Sequence, residues 1–206
     1  MPNSGIQLFP PGVDWDFIAA REGAMLNGYV PRDATGNPDA NSGVTIAVGF
    51  DLGGRTVASL QALGFDLTLI ALLTPYLGLR GATAQSSLRA APLTITTAQR
   101  DEIDAEAFNS YYSAVAANYN AASGGISFQS LAQGAQTAIV SVAYQYGTNL
   151  AQATPNFWKQ VTGCEWQAAY NTLMNFGDAF PSRRHLEAAQ LLAAIQSGAL
   201  PLPHPA

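Results

Sequence analysis

Residues 42–53 read Ser-Gly-Val-Thr-Ile-Ala-Val-Gly-Phe-Asp-Leu-Gly, an alternation that predicts a β-strand in a chain whose other segments mostly predict helices. Side chains on a strand alternate faces, so Thr45, Ala47, Gly49 and Asp51 share one side and Val44, Ile46, Val48 and Phe50 the other. The bulky apolar set predicts a face turned to a core. The small Ala47 and Gly49 leave room above the opposite face, beside a hydroxyl and a carboxylate. Neither residue signals chemistry by itself, because threonine is common on strands and an aspartate ahead of Leu-Gly-Gly often starts a turn.

Upstream, Pro10-Pro11-Gly12 breaks the chain, Asp14 is placed to cap a helix, and Trp15, Phe17, Ile18 and Glu22 follow at helical spacings before Gly23 stops it. A carboxylate in the last turn meets the negative end of the macrodipole. That position disfavours its charged form and predicts a raised pKa for Glu22, the direction a general acid needs near neutral pH. Between helix and strand, residues 32–42 (Arg-Asp-Ala-Thr-Gly-Asn-Pro-Asp-Ala-Asn-Ser) are dense in turn formers. They predict the connection between two strands of a hairpin, Asn27 to Pro31 and Gly43 to Phe50. Glu22, Thr45 and Asp51 are then two acids and a hydroxyl gathered by a helix and a strand, a set able to cleave a glycosidic bond.

The remainder predicts helices punctuated by glycine and proline. Short ones are expected at Thr56 to Leu63, Asp66 to Leu77 (capped by Asp66) and Ala84 to Ala90 (ended by Pro92). Thr96 and Gln99 form a capping box for a long helix reaching about Tyr119, whose acids Asp101, Glu102, Asp104 and Glu106 read as a solvated, dipole-compensated start. Residues 107–158 carry no charge but many Asn, Ser, Gln and Tyr, the pattern of core and cleft wall. Later helices are expected from Gln133 to Tyr146 with a stop at Gly147, from Thr154-Pro155 to near Gly163, from Trp166 to Phe176, and from Pro181-Ser182 to Gly198.

With 206 residues, 48% of them hydrophobic, the chain is long enough for one large core or two lobes. Charged residues are 11%, against roughly 25% in soluble domains generally, and Gln, Asn, Ser and Thr supply the polarity. A net charge of −5 and a single lysine, Lys159, argue against a nucleic-acid partner, which needs clustered cations. One cysteine and two histidines, His185 and His204, exclude a disulfide framework and a zinc site of the usual spacing. Cys164 reads as a buried, inert thiol, and Trp15, Trp158 and Trp166 as core. No cofactor or metal is implied. Met1 to Gly12 lacks the basic and apolar regions of a signal peptide, and the run from Leu67 to Leu79 is too short to span a bilayer. The expectation is a monomer made in the cytoplasm.

Glu22-Gly23, Gly28-Tyr29-Val30-Pro31 and Ser42 to Gly53 resemble the catalytic segment of the phage-type lysozymes, in particular the branch of pesticin and related lysozyme-like toxin domains. Ala143-Tyr144-Gln145-Tyr146-Gly147 is similar to that family's aromatic-Asn/Gln-x-Gly helix end. Pro181-Ser182-Arg183-Arg184-His185-Leu186-Glu187 is similar to its closing helix. The resemblance runs from about Asp14 to Leu192, with an undiagnostic middle. It implies a mostly α, α+β lysozyme-like fold, with a small β-hairpin lobe (residues 12–95) and a larger helical lobe (120–200) joined by a long helix (96–119), then a tail (201–206).

Residue by residue, the resemblance implies Glu22 as proton donor, Thr45 as the active-site threonine and Asp51 as the second carboxylate. The T-even phage enzymes place that aspartate on the first hairpin strand, where this chain has Pro31. Asp33, two residues on, is therefore the rival to Asp51, with Asp39 weaker; Asp51 is preferred because it shares a face with Thr45. Tyr29, Gln145 and Arg183 are the candidate substrate contacts, the last with Arg184 also able to pair with Glu187 or Asp178. The implied reaction is hydrolysis, with inversion, of the β-1,4 bond between N-acetylmuramic acid and N-acetylglucosamine in peptidoglycan. Inversion would set the carboxyls roughly 6.5–9.5 Å apart. A lytic transglycosylase and a non-catalytic peptidoglycan-binding module are the alternatives. The implied setting is bacterial lysis, by a phage endolysin or an antibacterial toxin or effector. Such a chain acts in the periplasm or on the cell wall after holin release or delivery by a secretion system, and a toxin would be matched by an immunity protein.

Overall fold

The structure, a computed structural model, describes residues 9–22 and 25–202, with Glu22 described through its backbone alone. The predicted stop at Gly23 and the predicted tail residue His204 lie outside the described residues. The chain divides into two compact units, one of residues 19–107 and the other of residues 1–18 with 108–206. The architecture is the expected mostly α one with a small antiparallel sheet.

The first unit holds the sheet. Helix α1, Trp15–Glu22, counts in the second unit to Ile18 and in the first from Ala19; it starts where Asp14 caps it, its Oδ1 accepting from the Phe17 N–H at 2.9 Å. Strands β1 (Met25–Tyr29), β2 (Thr45–Ala47) and β3 (Phe50–Asp51) follow, antiparallel in that order. Tyr29 pairs with Thr45, Thr45 with Asp51 and Ile46 with Phe50. The predicted single strand from Gly43 to Phe50 is thus two strands folded on each other. The chain reverses at Ala47-Val48-Gly49, where Ala47 (φ 55°) and Gly49 (φ 79°) occupy left-handed backbone conformations. Strand periodicity cannot report a reversal whose turn contains two apolar residues. Val44, Ile46 and Phe50 are buried as expected, and so are Thr45 and Ala47, because this hairpin is covered on both faces.

Around the sheet stand α2 (Val57–Ala62), α3 (Leu67–Leu73) and α4 (Gly81–Ala90). Thr56 and Ser59 form a capping box on α2, and Asp66 caps α3 through the Thr68 N–H. Pro75 converts the end of the predicted helix into a 3-10 turn at Thr74–Tyr76. Helix α4 begins three residues before its expected start at Ala84. Val44, Ile46, Leu52, Leu60, Leu69, Leu73 and Ile103 form the core of this unit.

Helix α5, Thr97–Ala122, has the predicted capping box, Thr96 Oγ1 accepting from the Gln99 N–H at 3.2 Å and Gln99 Oε1 from the Thr96 N–H at 2.9 Å. It counts in the first unit to Ala107 and in the second from Phe108. The second unit adds α6 (Gln133–Tyr146), α7 (Leu150–Ala153), α8 (Pro155–Thr162), α9 (Trp166–Met174) and α10 (Pro181–Gln196). The α6, α8, α9 and α10 boundaries follow the sequence signals within two residues; the single turn α7 carries none. Helices α6 and α10 pack so closely that a Cβ on Gly134 would stand 2.1 Å from the Gln190 carbonyl oxygen. The aromatic core runs from Trp15 to Phe108 (centroids 4.7 Å apart), Phe108 to Tyr144 (5.3 Å), Tyr112 to Phe128 (5.7 Å) and Tyr119 to Phe128 (5.5 Å). Trp158, Trp166 and Cys164 are buried as expected. Burial raises the Cys164 thiol above its ordinary pKa, which makes it a poor nucleophile. Among the described residues no single helix is long and apolar enough to cross a membrane.

Candidate functional site

Asp51 lies in the sheet-bearing unit, with its carboxylate fixed by backbone. Its Oδ1 accepts from the Gly53 N–H at 2.7 Å and the Gly43 N–H at 2.9 Å. The first of these bonds caps the 3-10 turn Leu52–Gly54, and the second ties that turn to the chain entering β2. The two backbones approach so closely that a Cβ on Gly43 would fall 2.3 Å from the Gly53 nitrogen; the glycines in Ser-Gly-Val-Thr and Asp-Leu-Gly-Gly are there for that approach. Arg80 closes the back of the arrangement, Nε donating to the Gly53 carbonyl at 3.0 Å and Nη1 to the Asn41 carbonyl. No described residue donates to Asp51 Oδ2, so one oxygen is fixed and the other is available.

Thr45 stands directly across the β2–β3 ladder from Asp51. Cross-strand partners share a face of the sheet, so the two are brought together as expected, by folding of two strands instead of alternation along one. The Thr45 hydroxyl donates to the Gly43 carbonyl at a long 3.4 Å. Tyr29 is the other ladder partner of Thr45 and at 38% exposure offers its ring to solvent. Glu22 is the final residue of α1. Its side chain lies outside the described residues, and with it the separation of the two carboxyls.

Asp33 has a different setting. Its Oδ1 accepts from the Thr35 N–H (2.8 Å), the Thr35 hydroxyl (2.6 Å) and the Asn37 N–H (3.0 Å), an exposed side chain organising the residue 32–42 loop. The Thr35 hydroxyl is the main reason its carboxyl titrates below the usual range. Asp39 likewise serves its own turn, with Oδ1 accepting from the Asn41 N–H at 3.0 Å and Oδ2 from the Ser42 hydroxyl at 3.1 Å.

One member of the acidic run in α5 departs from the solvated reading. Asp104 is 2% exposed, and its Oδ1 accepts from the Val48 N–H, in the turn between β2 and β3, at 3.0 Å. Burial raises its pKa to about 6; the Val48 N–H and Arg100, whose Nε is 3.7 Å from Oδ2, offset this only in part, and Asp101 adds to it. The helix position of Asp104 was legible, but nothing in a run of four acids distinguishes the one turned inward.

Gln145 and Arg183 belong to the helical unit, where side chains of the protein already engage them. Arg184, 1% exposed, donates to Gln145 Oε1 and to Glu187 Oε2. Its Nε lies 3.1 Å from Asp178 Oδ2 at an angle too poor for a hydrogen bond, and its guanidinium covers the Phe176 and Tyr146 rings at 5.0 and 5.5 Å. Arg183 meets Glu187 Oε1 at 3.2 Å and the Ser141 carbonyl at 2.9 Å. The expectation that at least one arginine pairs with Glu187 or Asp178 holds for both, so their first role is to neutralise Glu187. Burial raises the Glu187 pKa, opposed chiefly by Arg184. Asp178 is also opposed by burial, yet the Tyr146 hydroxyl (2.6 Å), the Phe180 N–H and Arg184 hold it below the usual range.

The described residues contain no group of three or more His, Cys, Asp or Glu able to hold a metal ion. What the described site offers is the Asp51 carboxylate beside a hydroxyl and an exposed aromatic ring. No curated protein matches the chain. The family model of pesticin, described as a bacterial toxin homologue of phage lysozyme, C-terminal, matches residues 12–167, a span that contains α1, the whole sheet and the Asp51 carboxylate clamp; the chain belongs to the pesticin family.

Proposed function

We propose that this protein is a peptidoglycan N-acetylmuramidase that serves as an antibacterial toxin, hydrolysing the β-1,4 bond between N-acetylmuramic acid and N-acetylglucosamine. The observation that carries the reading is the Asp51 carboxylate, held by two backbone N–H groups with one oxygen available and Thr45 opposite, within a family related to phage lysozyme. In this mechanism Glu22 protonates the leaving glycosidic oxygen. Asp51 Oδ2 takes a proton from water, and the Thr45 hydroxyl orients that water toward the anomeric carbon on the opposite face of the ring. The fixed Oδ1 matters because a base that rotates freely would lose the geometry on which proton transfer depends. A single displacement by water inverts the anomeric centre.

Tyr29 is the favoured sugar contact, an exposed ring next to Thr45 in the ladder that a pyranose can pack on. Gln145 and Arg183 are proposed as further substrate contacts, secondary to Tyr29. The family's description favours a toxin over an endolysin, and a toxin implies delivery to the periplasm and a cognate immunity protein. Digestion of purified peptidoglycan by the wild type, Asp33→Ala and Asp51→Ala tests the site: Asp51→Ala should lose muropeptide release and Asp33→Ala keep it, and the reverse result would move the second carboxylate to Asp33. Products ending in 1,6-anhydro sugars would replace hydrolysis with lytic transglycosylation.

A further inference from the structure

The N–H of Val48 points away from the ladder, at the middle of the turn that joins the strand of Thr45 to the strand of Asp51. The preceding residue, Ala47, is a non-glycine residue with φ 55°, a conformation that costs free energy and persists only where the surroundings hold it. The acceptor that holds this turn is Asp104 Oδ1 at 3.0 Å, from α5 and 56 residues away in sequence. A neutral amide would satisfy the same N–H without burying a charge, whereas a carboxylate makes a bond roughly twice as strong. Around Asp104 the only charged groups among the described residues that act on it are Arg100 and Asp101 of its own helix.

We propose that Asp104 is a positioning residue for the glycosidase site, holding the β2–β3 turn so that Thr45 and Asp51 stay in cross-strand register. This role rests on the muramidase reading. Asp104 touches neither substrate nor water in the reaction; it acts through the backbone of Val48. Its removal lowers turnover by misplacing the Asp51 oxygen and the Thr45 hydroxyl, while leaving glycan binding at Tyr29 unchanged.

Two variants separate positioning from folding. Asp104→Leu fills the same buried space without an acceptor or a charge, and Asp104→Asn keeps an oxygen able to accept from Val48. Each is assayed with the wild type on soluble, uncrosslinked glycan strands for kcat and KM, with melting temperature and amide exchange of residues 47–50 measured alongside. The expected result is a kcat for Asp104→Leu about tenfold to a hundredfold below wild type, an unchanged KM, a melting temperature no lower than wild type, and faster exchange at 47–50. Asp104→Asn should recover most of the lost kcat. An active wild type with Asp104→Leu equally active, or a kcat loss that Asp104→Asn does not recover, would overturn the positioning role alone. A wild type that releases no reducing ends would overturn the muramidase reading and this role with it.

Discussion

Glu187 in the helical unit and Asp104 in the sheet-bearing unit are both withdrawn from solvent, 0% and 2% exposed, but they are satisfied in different ways. Glu187 is met by side chains: Arg183, Arg184 and the Ser141 hydroxyl at 2.5 Å. Asp104 is met by one backbone N–H, with a single arginine 3.7 Å away. Asp51 and Asp33 follow the second pattern, with carboxylate oxygens placed on backbone N–H groups of turns. A carboxylate bound to side chains holds helices together. A carboxylate bound to turn N–H groups fixes a loop and whatever that loop carries. The helical unit thus uses buried charge for cohesion, and the sheet-bearing unit uses it for geometry.

Substitutions in the two units should therefore fail in different measurements. The largest effect is expected at the reacting groups. Glu22→Gln and Asp51→Asn should each lower muropeptide release by about 10²–10⁴-fold with little change in melting temperature, since an asparagine Oδ1 still accepts from the Gly43 and Gly53 N–H groups; a matching loss of stability would mean that these acids are structural. Next, Arg184→Leu takes from the buried Glu187 one of its two arginines and removes the hydrogen bond to Gln145 and the ion pair with Asp178, a change expected to cost roughly 3–5 kcal/mol. In a chain of this size that is a fall of roughly 6–20 °C in melting temperature, read by calorimetry, and activity should decline only as far as the protein unfolds.

A smaller effect of opposite sign is expected at Asp104. A carboxyl that titrates at 3.8 in the unfolded chain and at about 6 in the folded one binds its proton more tightly when folded. Its contribution to stability is present below pH 3.8 and is lost as pH rises through about 6, a swing of roughly 3 kcal/mol. Asp104→Asn removes that swing. Its melting temperature relative to wild type should climb between pH 4 and pH 7, and a difference that stays flat with pH would show that Asp104 is not titrating in this range. The least effect belongs to Asp33→Ala, which should leave peptidoglycan digestion unchanged, since the Asp33 carboxylate serves its own exposed loop.

The sequence carried the helices well because their signals are local. Asp14, Thr56, Asp66 and the Thr96–Gln99 pair are caps whose partners lie two or three residues away, and Gly147 ends α6 at the position expected. The pairing of Thr45 with Asp51 was expected for a different reason. In this hairpin the paired positions, 45 with 51 and 46 with 50, are of equal parity, as are residues on one face of an extended strand, so the folded hairpin gave the same pairing. What stayed hidden depends on distant parts of the chain. Asp104 accepts from a backbone group 56 residues away, and Gln145 is held by Arg184 across 39 residues, relations that no spacing rule records. Asp51 as a clamp was half visible: the Asp-Leu-Gly-Gly turn signalled the bond to Gly53, but not the one to Gly43.

Hydrolysis of glycan strands at N-acetylmuramic acid leaves that sugar at each new reducing end. The most direct measurement is to digest purified peptidoglycan with the wild-type protein, reduce the products with borohydride and identify the reduced sugar by mass spectrometry. Muramitol ends, absent with Glu22→Gln, are the predicted result; glucosaminitol ends, 1,6-anhydro ends, or no soluble products would contradict it.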